Sequence, residues 1–220
     1  MPHKYLLRAL VASSSAPERA LESLPNWGEG IKSLVAEEEM MAVKKREIRR
    51  RYNHTAYVYN KRYQAIQRKK YEALLPFLTD ARSVLDVGCG TGMLMKLLAR
   101  KACFVVGVDF SLRMLRMASD SVKVANLVQA DADYLPFPDQ TFDAVVSVTL
   151  LQNMPDPGGT IKEFVRVLKR SGTLIVTTLR HKHSPEQLRD WVTSTNLKPM
   201  RIGRIPDSED ILCVARRKHE

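Results

Sequence analysis

Asp86, Gly88, Gly90 and Gly92 fall within the run VLDVGCGTG at residues 84–92, and Asp109 follows 23 residues after Asp86. An apolar run that turns through glycines into a helix reads as a ligand loop. Glycine takes φ > 0 and admits a ligand where a Cβ would clash, and the helix N-terminus behind it favours an anionic group. A purely structural strand–turn–helix is the plain alternative. The spacing is GxGxG, whereas the dinucleotide fingerprint GxGxxG/A needs glycine or alanine at position 93, where Met93 stands. Asp86, two residues before the first glycine, suits a cationic ligand better than a pyrophosphate. Asp109 closes the next apolar run, where an open α/β sheet sets an acid against both hydroxyls of a ribose. Alternatively it caps the helix that starts at Ser111. Asp131, at the end of ANLVQAD, is placed to accept from an adenine amino group.

The elements that hold these residues alternate. SVLDV, CFVVGVD, ANLVQAD, FDAVVSVT and GTLIVTTL read as strands, with two more near 200–204 and 211–216. Helices are expected over 93–101, 111–118, 160–169 and 184–194, and a longer one over 46–75 stops near Pro76. Strands alternating with helices imply an α/β sheet, parallel over most of its width. Residues 1–45 form a partly helical extension, and residues 46–220 form the domain, divided into a helical segment (46–79) and an α/β core (80–220).

Composition narrows the function. Cys89, Cys103 and Cys213 are an odd number without CxxC spacing, which argues for a reducing, cytoplasmic compartment and against a disulfide framework or structural zinc. No apolar run approaches the roughly eighteen residues of a membrane span. The net charge of +11 is uneven: residues 41–80 hold eleven Lys/Arg against Glu47, Glu72 and Asp80. Such localised charge attracts phosphate backbones or anionic surfaces, although a solvated helix face is the bland reading.

Taken together, VLDVGCGTG, GVDFS, ADADYLPFPDQTFD, LLQNMPDP and EFVRVLKRSGTLIV resemble class I S-adenosylmethionine (SAM)-dependent methyltransferases. The resemblance covers roughly residues 50–180 and points to the branch that includes quinone-biosynthesis and tRNA methyltransferases. It implies a Rossmann-like seven-stranded sheet of order 3-2-1-4-5-7-6 with strand 7 antiparallel. It also implies that Asp86, Gly88, Cys89, Gly90 and Gly92 line the methionine and sulfonium, that Asp109 with Phe110 holds the ribose side, and that Asp131 and Ala132 read the adenine. The loop KRSG departs from the usual Lys-Pro-Gly-Gly. In related enzymes a helix of pattern Tyr-x-x-x-Ala-x-x-Tyr lies across the donor pocket. Tyr52, Ala56 and Tyr59 match it, with Asn53 and Asn60 where aspartates are usual. Tyr52, Ala56, Tyr59, Tyr63 and Ile66 form one apolar stripe, opposite Lys61, Arg62, Arg68 and Lys69.

Methyl transfer from a sulfonium is an in-line displacement, so the protein mainly aligns donor and acceptor and, where needed, removes a proton. Acceptor residues are expected in TLLQNMPDP, with Thr149 at the cofactor and Gln152 and Asn153 as catalytic candidates. The related small-molecule enzymes usually carry histidine where Gln152-Asn153 stand. His54 is the candidate base on the long helix. His181 and His183 form an H-x-H pair with no third ligand nearby, so no metal is expected. Arg49, Arg50, Arg51, Tyr57 and His181 are the candidate substrate contacts. The basic segment and the missing histidines favour RNA, tRNA or rRNA, as acceptor. A quinone or lipid precursor is the alternative, and a SAM- or RNA-binding subunit without turnover is the alternative from another class. Relatives acting on tRNA also imply a small zinc-binding activator subunit as a partner.

Overall fold

The computed structural model describes residues 29–100, 104–122 and 126–217. Seven strands form one sheet in the order β3-β2-β1-β4-β5-β7-β6, the order implied by the resemblance. They are β1 (Ser83–Val87), β2 (Phe104–Asp109), β3 (Asn126–Gln129), β4 (Phe142–Ser147), β5 (Leu168–Leu179), β6 (Leu197–Arg204) and β7 (Asp210–Arg217). The first five pair in parallel, and β7 runs antiparallel between β5 and β6.

The central strands are runs of Val, Leu and Ala because helices cover both faces of the sheet. Successive side chains alternate between two apolar layers. Leu85, Val87, Val106 and Val108 pack with Phe142, Phe164 and Leu188 on one face. Val84, Val105, Ala144 and Val146 pack with Leu74, Leu94, Leu98 and Leu115 on the other.

Helix α1 is a single helix over Glu29–Leu74, longer than the segment expected from 46. The chain divides into two compact units, residues 1–48 and 49–220. Of the first unit, the described residues 29–48 are all helical, with Met40 and Val43 exposed. In the second unit α1 ends before a 3-10 turn at Leu75–Leu78 containing Pro76, which lacks an N–H and disfavours a helical residue before it.

Four further helices follow strands: α2 (Met93–Ala99), α3 (Leu112–Ser121), α4 (Pro157–Val167) and α5 (Pro185–Thr193). Ser111, Asp156 and Ser184 cap the last three by accepting from backbone N–H groups in the first turn. The connection after β1 leads to β2 on one side, and that after β3 crosses to β4 on the other. The crevice beyond the carboxyl ends of β1, β2 and β4 is thus the switch point where an open α/β sheet binds ligands.

The stripe on α1 differs from the sequence reading at one position. Ile66 is exposed, whereas Gln67, Lys70, Tyr71 and Leu74 are buried. Cys89 and Cys213 are buried free thiols, and Cys103 lies outside the described residues. Among the described residues no helix is long and apolar enough to cross a membrane.

Candidate functional site

The glycine loop is closed by its own backbone. Gly88 and Cys89 both donate to the Val108 carbonyl, at 2.8 and 3.0 Å, and Gly92 donates to the Cys89 carbonyl at 3.0 Å. Gly88, Gly90 and Gly92 have φ of 78°, 55° and 75°, values that strain any residue with a Cβ. Gly92 has a second constraint: a Cβ there would lie 3.1 Å from that of Ala118. Gly90 faces open space, with nothing within 4 Å of a built Cβ.

Two carboxylates sit beside this loop. Asp86 is 3% exposed and its Oδ2 has no hydrogen-bond partner. Burial, reinforced by Asp109, pushes its carboxyl up to about 7. Asp109 is held on both oxygens: Oδ2 accepts from the Gly90 amide at 2.9 Å and Oδ1 from the Ser111 amide at 2.8 Å. Burial lifts it to about 6, opposed by these amides. A buried carboxylate with an unused oxygen is a costly arrangement, and a cationic ligand removes that cost.

A pocket opens here, lined by Tyr59, Gln67 and Tyr71 of α1, Asp86, Gly88–Thr91, Met93, Leu94 and Val148. The roof is therefore α1, and its two asparagines attach it. Asn60 accepts from the Thr91 hydroxyl in the glycine loop. Asn53 accepts from the Ser111 hydroxyl at 2.7 Å, beyond β2. Tyr59 accepts from Gln67 at 3.3 Å, and burial holds its phenol protonated up to about 12. Tyr52 and Tyr59 pack with ring centroids 6.3 Å apart. Asp131 and Ala132 follow β3, where the Asp131 Oδ1 accepts from the Asp133 amide at 3.0 Å and Ala132 is buried.

On the side expected for the acceptor, Asn153 bridges to α1. Its Nδ2 donates to the Tyr52 hydroxyl at 3.0 Å, and its Oδ1 accepts from Arg51 at 3.1 Å. Both ends of the Gln152 amide are occupied, Nε2 by the Thr149 carbonyl and Oε1 by the Thr178 hydroxyl. Thr149 lines a different feature: its hydroxyl accepts from Lys70 at 2.7 Å and donates to Asp210 at 2.7 Å.

Several candidates lie away from the pocket. His54 is exposed, its Nδ1 2.9 Å from the Arg50 carbonyl one turn back, which does not aim it at the donor. His181 is exposed beside Glu209, and His183 packs on Trp191 with its Nδ1 2.8 Å from Thr178. Among the described residues no group of three His, Cys, Asp or Glu could hold a metal ion. Tyr57 is 75% exposed. Arg49 lies over the Phe110 ring at 5.0 Å, while Arg50 is exposed.

Sequence reasoning missed Gln67, Lys70, Tyr71, Thr177 and Asp210. Gln67, Lys70 and Tyr71 continue the stripe of Tyr52, Ala56, Tyr59 and Tyr63 at helical spacing. Two of them are polar, so apolar periodicity points to Ile66 instead. Asp210 follows a loop segment and carries no motif.

Residues 85–176 match the family described as "Methyltransferase domain". The demethylmenaquinone methyltransferase of Tropheryma whipplei is 34% identical over 146 residues, covering 61% of this chain and 60% of its own length. The malonyl-[acyl-carrier protein] O-methyltransferase of Pseudescherichia vulneris is 33% identical over 154 residues, covering 69% and 61%. The chain thus spans about 60% of the length of these curated relatives. Among solved structures, magnesium protoporphyrin IX methyltransferase from Synechocystis PCC 6803 with bound SAM has a TM-score of 0.71 at 18% identity, covering 80% of this chain and 97% of its own. A putative methyltransferase in complex with the Haloferax volcanii Trm112 methyltransferase activator has a TM-score of 0.63 at 20% identity, covering 76% and 98%. At these identities the two structures speak to the fold.

Proposed function

Because its core is a domain of the class I SAM-dependent methyltransferase family, we propose that this protein transfers a methyl group from SAM to a small-molecule acceptor. The observation that carries the donor half is the buried Asp86 with its unused Oδ2, beside a glycine loop whose three glycines hold positive φ. When bound, SAM supplies an electrophilic methyl on a sulfonium. Asp86 balances that cationic end. Asp109, already oriented by two amides, keeps lone pairs for the ribose hydroxyls. Asp131 and Ala132 border the adenine. Tyr59 and Tyr71 stay protonated through burial and wall the reacting end from water. Gln152 and Asn153 act by position: each amide is engaged, so they shape the acceptor side and remove no proton.

Support for a small acceptor comes from the curated relatives, whose names point to a quinone precursor and a malonyl thioester. RNA is the second reading, favoured by Lys61, Arg62, Arg68 and Lys69, all exposed on the outer face of α1 near Tyr57. Labelled SAM incubated with quinone and lipid, acyl-thioester and RNA fractions separates the readings, with and without an added activator subunit. We expect label in a small-molecule fraction and little response to salt. Label in RNA, lost steeply as salt rises, overturns the small-acceptor reading. SAM binding without label in any fraction favours a subunit without turnover.

A further inference from the structure

In the second unit, α1 begins with three consecutive arginines, Arg49, Arg50 and Arg51. None of them pairs with a carboxylate among the described residues. Three other arginines do pair with an acid, Arg68 with Glu72 at 2.9 Å, Arg166 with Asp139 at 2.7 Å, and Arg180 with Glu209 at 2.8 Å. Arg51 is held by neutral partners instead. Its Nη2 donates to the Asn153 Oδ1 at 3.1 Å, and its guanidinium lies 5.3 Å from the Tyr52 ring centroid. The Asn153 amide donates onward to the Tyr52 hydroxyl, and Tyr52 packs against Tyr59, a wall of the pocket. Arg49 covers Phe110, the residue after Asp109. Through Asn153, Tyr52 and Tyr59 the exposed Arg51 is linked to a wall of the pocket.

A guanidinium has five donors in a rigid fork matched to carboxylate and phosphate. Arg51 spends one on Asn153. Aromatic rings and an amide orient it without neutralising its charge. The pocket interior is acidic through Asp86 and Asp109, so the site carries two signs: acids within for a cation, arginines at the rim for an anion. Opposed fields of this kind draw a cationic donor and an anionic acceptor to adjacent places.

We propose that Arg51 forms an oxyanion subsite beside the pocket that binds the carboxylate or phosphate of a small-molecule acceptor. This rests on the methyltransferase reading above. Arg51 is a single guanidinium fixed by one amide and one ring, a geometry for one oxyanion and not for a long backbone.

The test is calorimetry on the full chain loaded with S-adenosylhomocysteine, titrated with phenyl phosphate, hexanoate and the neutral hexanamide. Saturable binding of one or both anions, and none of the amide, is expected, and which anion binds separates phosphate from carboxylate. Arg51→Gln should weaken anion binding at least tenfold and leave S-adenosylhomocysteine affinity within twofold, while Arg62→Gln changes neither. Absence of anion binding, or an indifferent Arg51→Gln, overturns the subsite. Equal loss of S-adenosylhomocysteine affinity assigns the guanidinium to the cofactor's own carboxylate and also overturns it. So does tight binding of a 12-nucleotide RNA that Arg62→Gln abolishes. Failure of S-adenosylhomocysteine to bind counts against the methyltransferase reading alone, and the same titrations on the unloaded protein then decide the subsite.

Discussion

Lys70 and Asp210 form an ion pair of 2.8 Å between side chains that are 4% and 0% exposed. It ties α1 to the start of β7, and Thr149 joins it from the loop after β4. The Thr149 hydroxyl accepts from Lys70 and donates to Asp210, while its amide donates to the Thr177 hydroxyl at 2.9 Å. Thr177 donates in turn to Asp210 at 2.8 Å. This network holds Thr149 at a φ of 57°, a conformation that a residue with a Cβ adopts only when its surroundings dictate it. The loop bearing Gln152 and Asn153 leaves from that residue.

Removing one partner of a buried pair strands the other charge. Lys70→Met is therefore expected to lower stability by about 3–5 kcal/mol in urea unfolding. Adding Asp210→Asn should recover a large part of that loss. If the loss in the double variant equals the sum of the losses in Lys70→Met and Asp210→Asn taken singly, the pair contributes no specific coupling.

The donor pocket predicts a pH dependence of defined sign. The folded-state carboxyl of Asp86 is raised to about 7 and that of Asp109 to about 6, from a reference of 3.8. Without ligand the native state thus binds protons that the unfolded chain has released. The linked stability is present below the unfolded value and is lost as pH rises from about 4 to about 7. A cationic ligand needs ionised Asp86, so SAM affinity should climb up to about tenfold per unit as pH approaches 7 from below, with proton release on binding. Asp86→Asn should flatten that slope in calorimetry run in two buffers of different ionisation heat. An unchanged slope would take Asp86 out of cation binding.

Much of the architecture was legible because its signals are local. SVLDV, bounded by polar residues and followed by glycines, marks β1 at the residues observed, 83–87. The order of strands and helices follows from alternating apolar runs, and Asp86 and Asp109 sit at strand ends that a period-two reading locates. What escaped depends on long-range pairing. Lys70 and Gln67 are polar on a buried helix face, a position that makes sense only beside Asp210 and Tyr59. Asn153 meets Tyr52 and Arg51 across about a hundred residues of chain. The outer face of α1 shows the reverse limit. Its charges are as exposed as expected, yet exposure alone does not say whether a polyanion or only water meets them.

Asp109 offers a sharper test of the donor assignment. Ala at this position removes the acceptor for the ribose hydroxyls and frees the Gly90 and Ser111 amides. Loss of one charged hydrogen bond, about 1.5–3 kcal/mol, corresponds to roughly ten- to a hundredfold weaker SAM binding. Unchanged affinity by calorimetry would refute the ribose role.

Asn53 and Asn60 make α1 a roof and not merely a neighbour, because each bonds a loop that frames the pocket. A neutral hydrogen bond contributes about 0.5–1.5 kcal/mol, so Asn53→Ala or Asn60→Ala should weaken SAM only a few-fold. The loss should fall on the dissociation rate, since both residues sit on the covering element and neither lies among the acids that attract the cation. Stopped-flow displacement with S-adenosylhomocysteine reads this directly. Faster dissociation with unchanged association supports α1 as the cover. Equal change in both rates, or a drop in association alone, means that the helix orders the pocket before the ligand arrives and does not close over it afterwards.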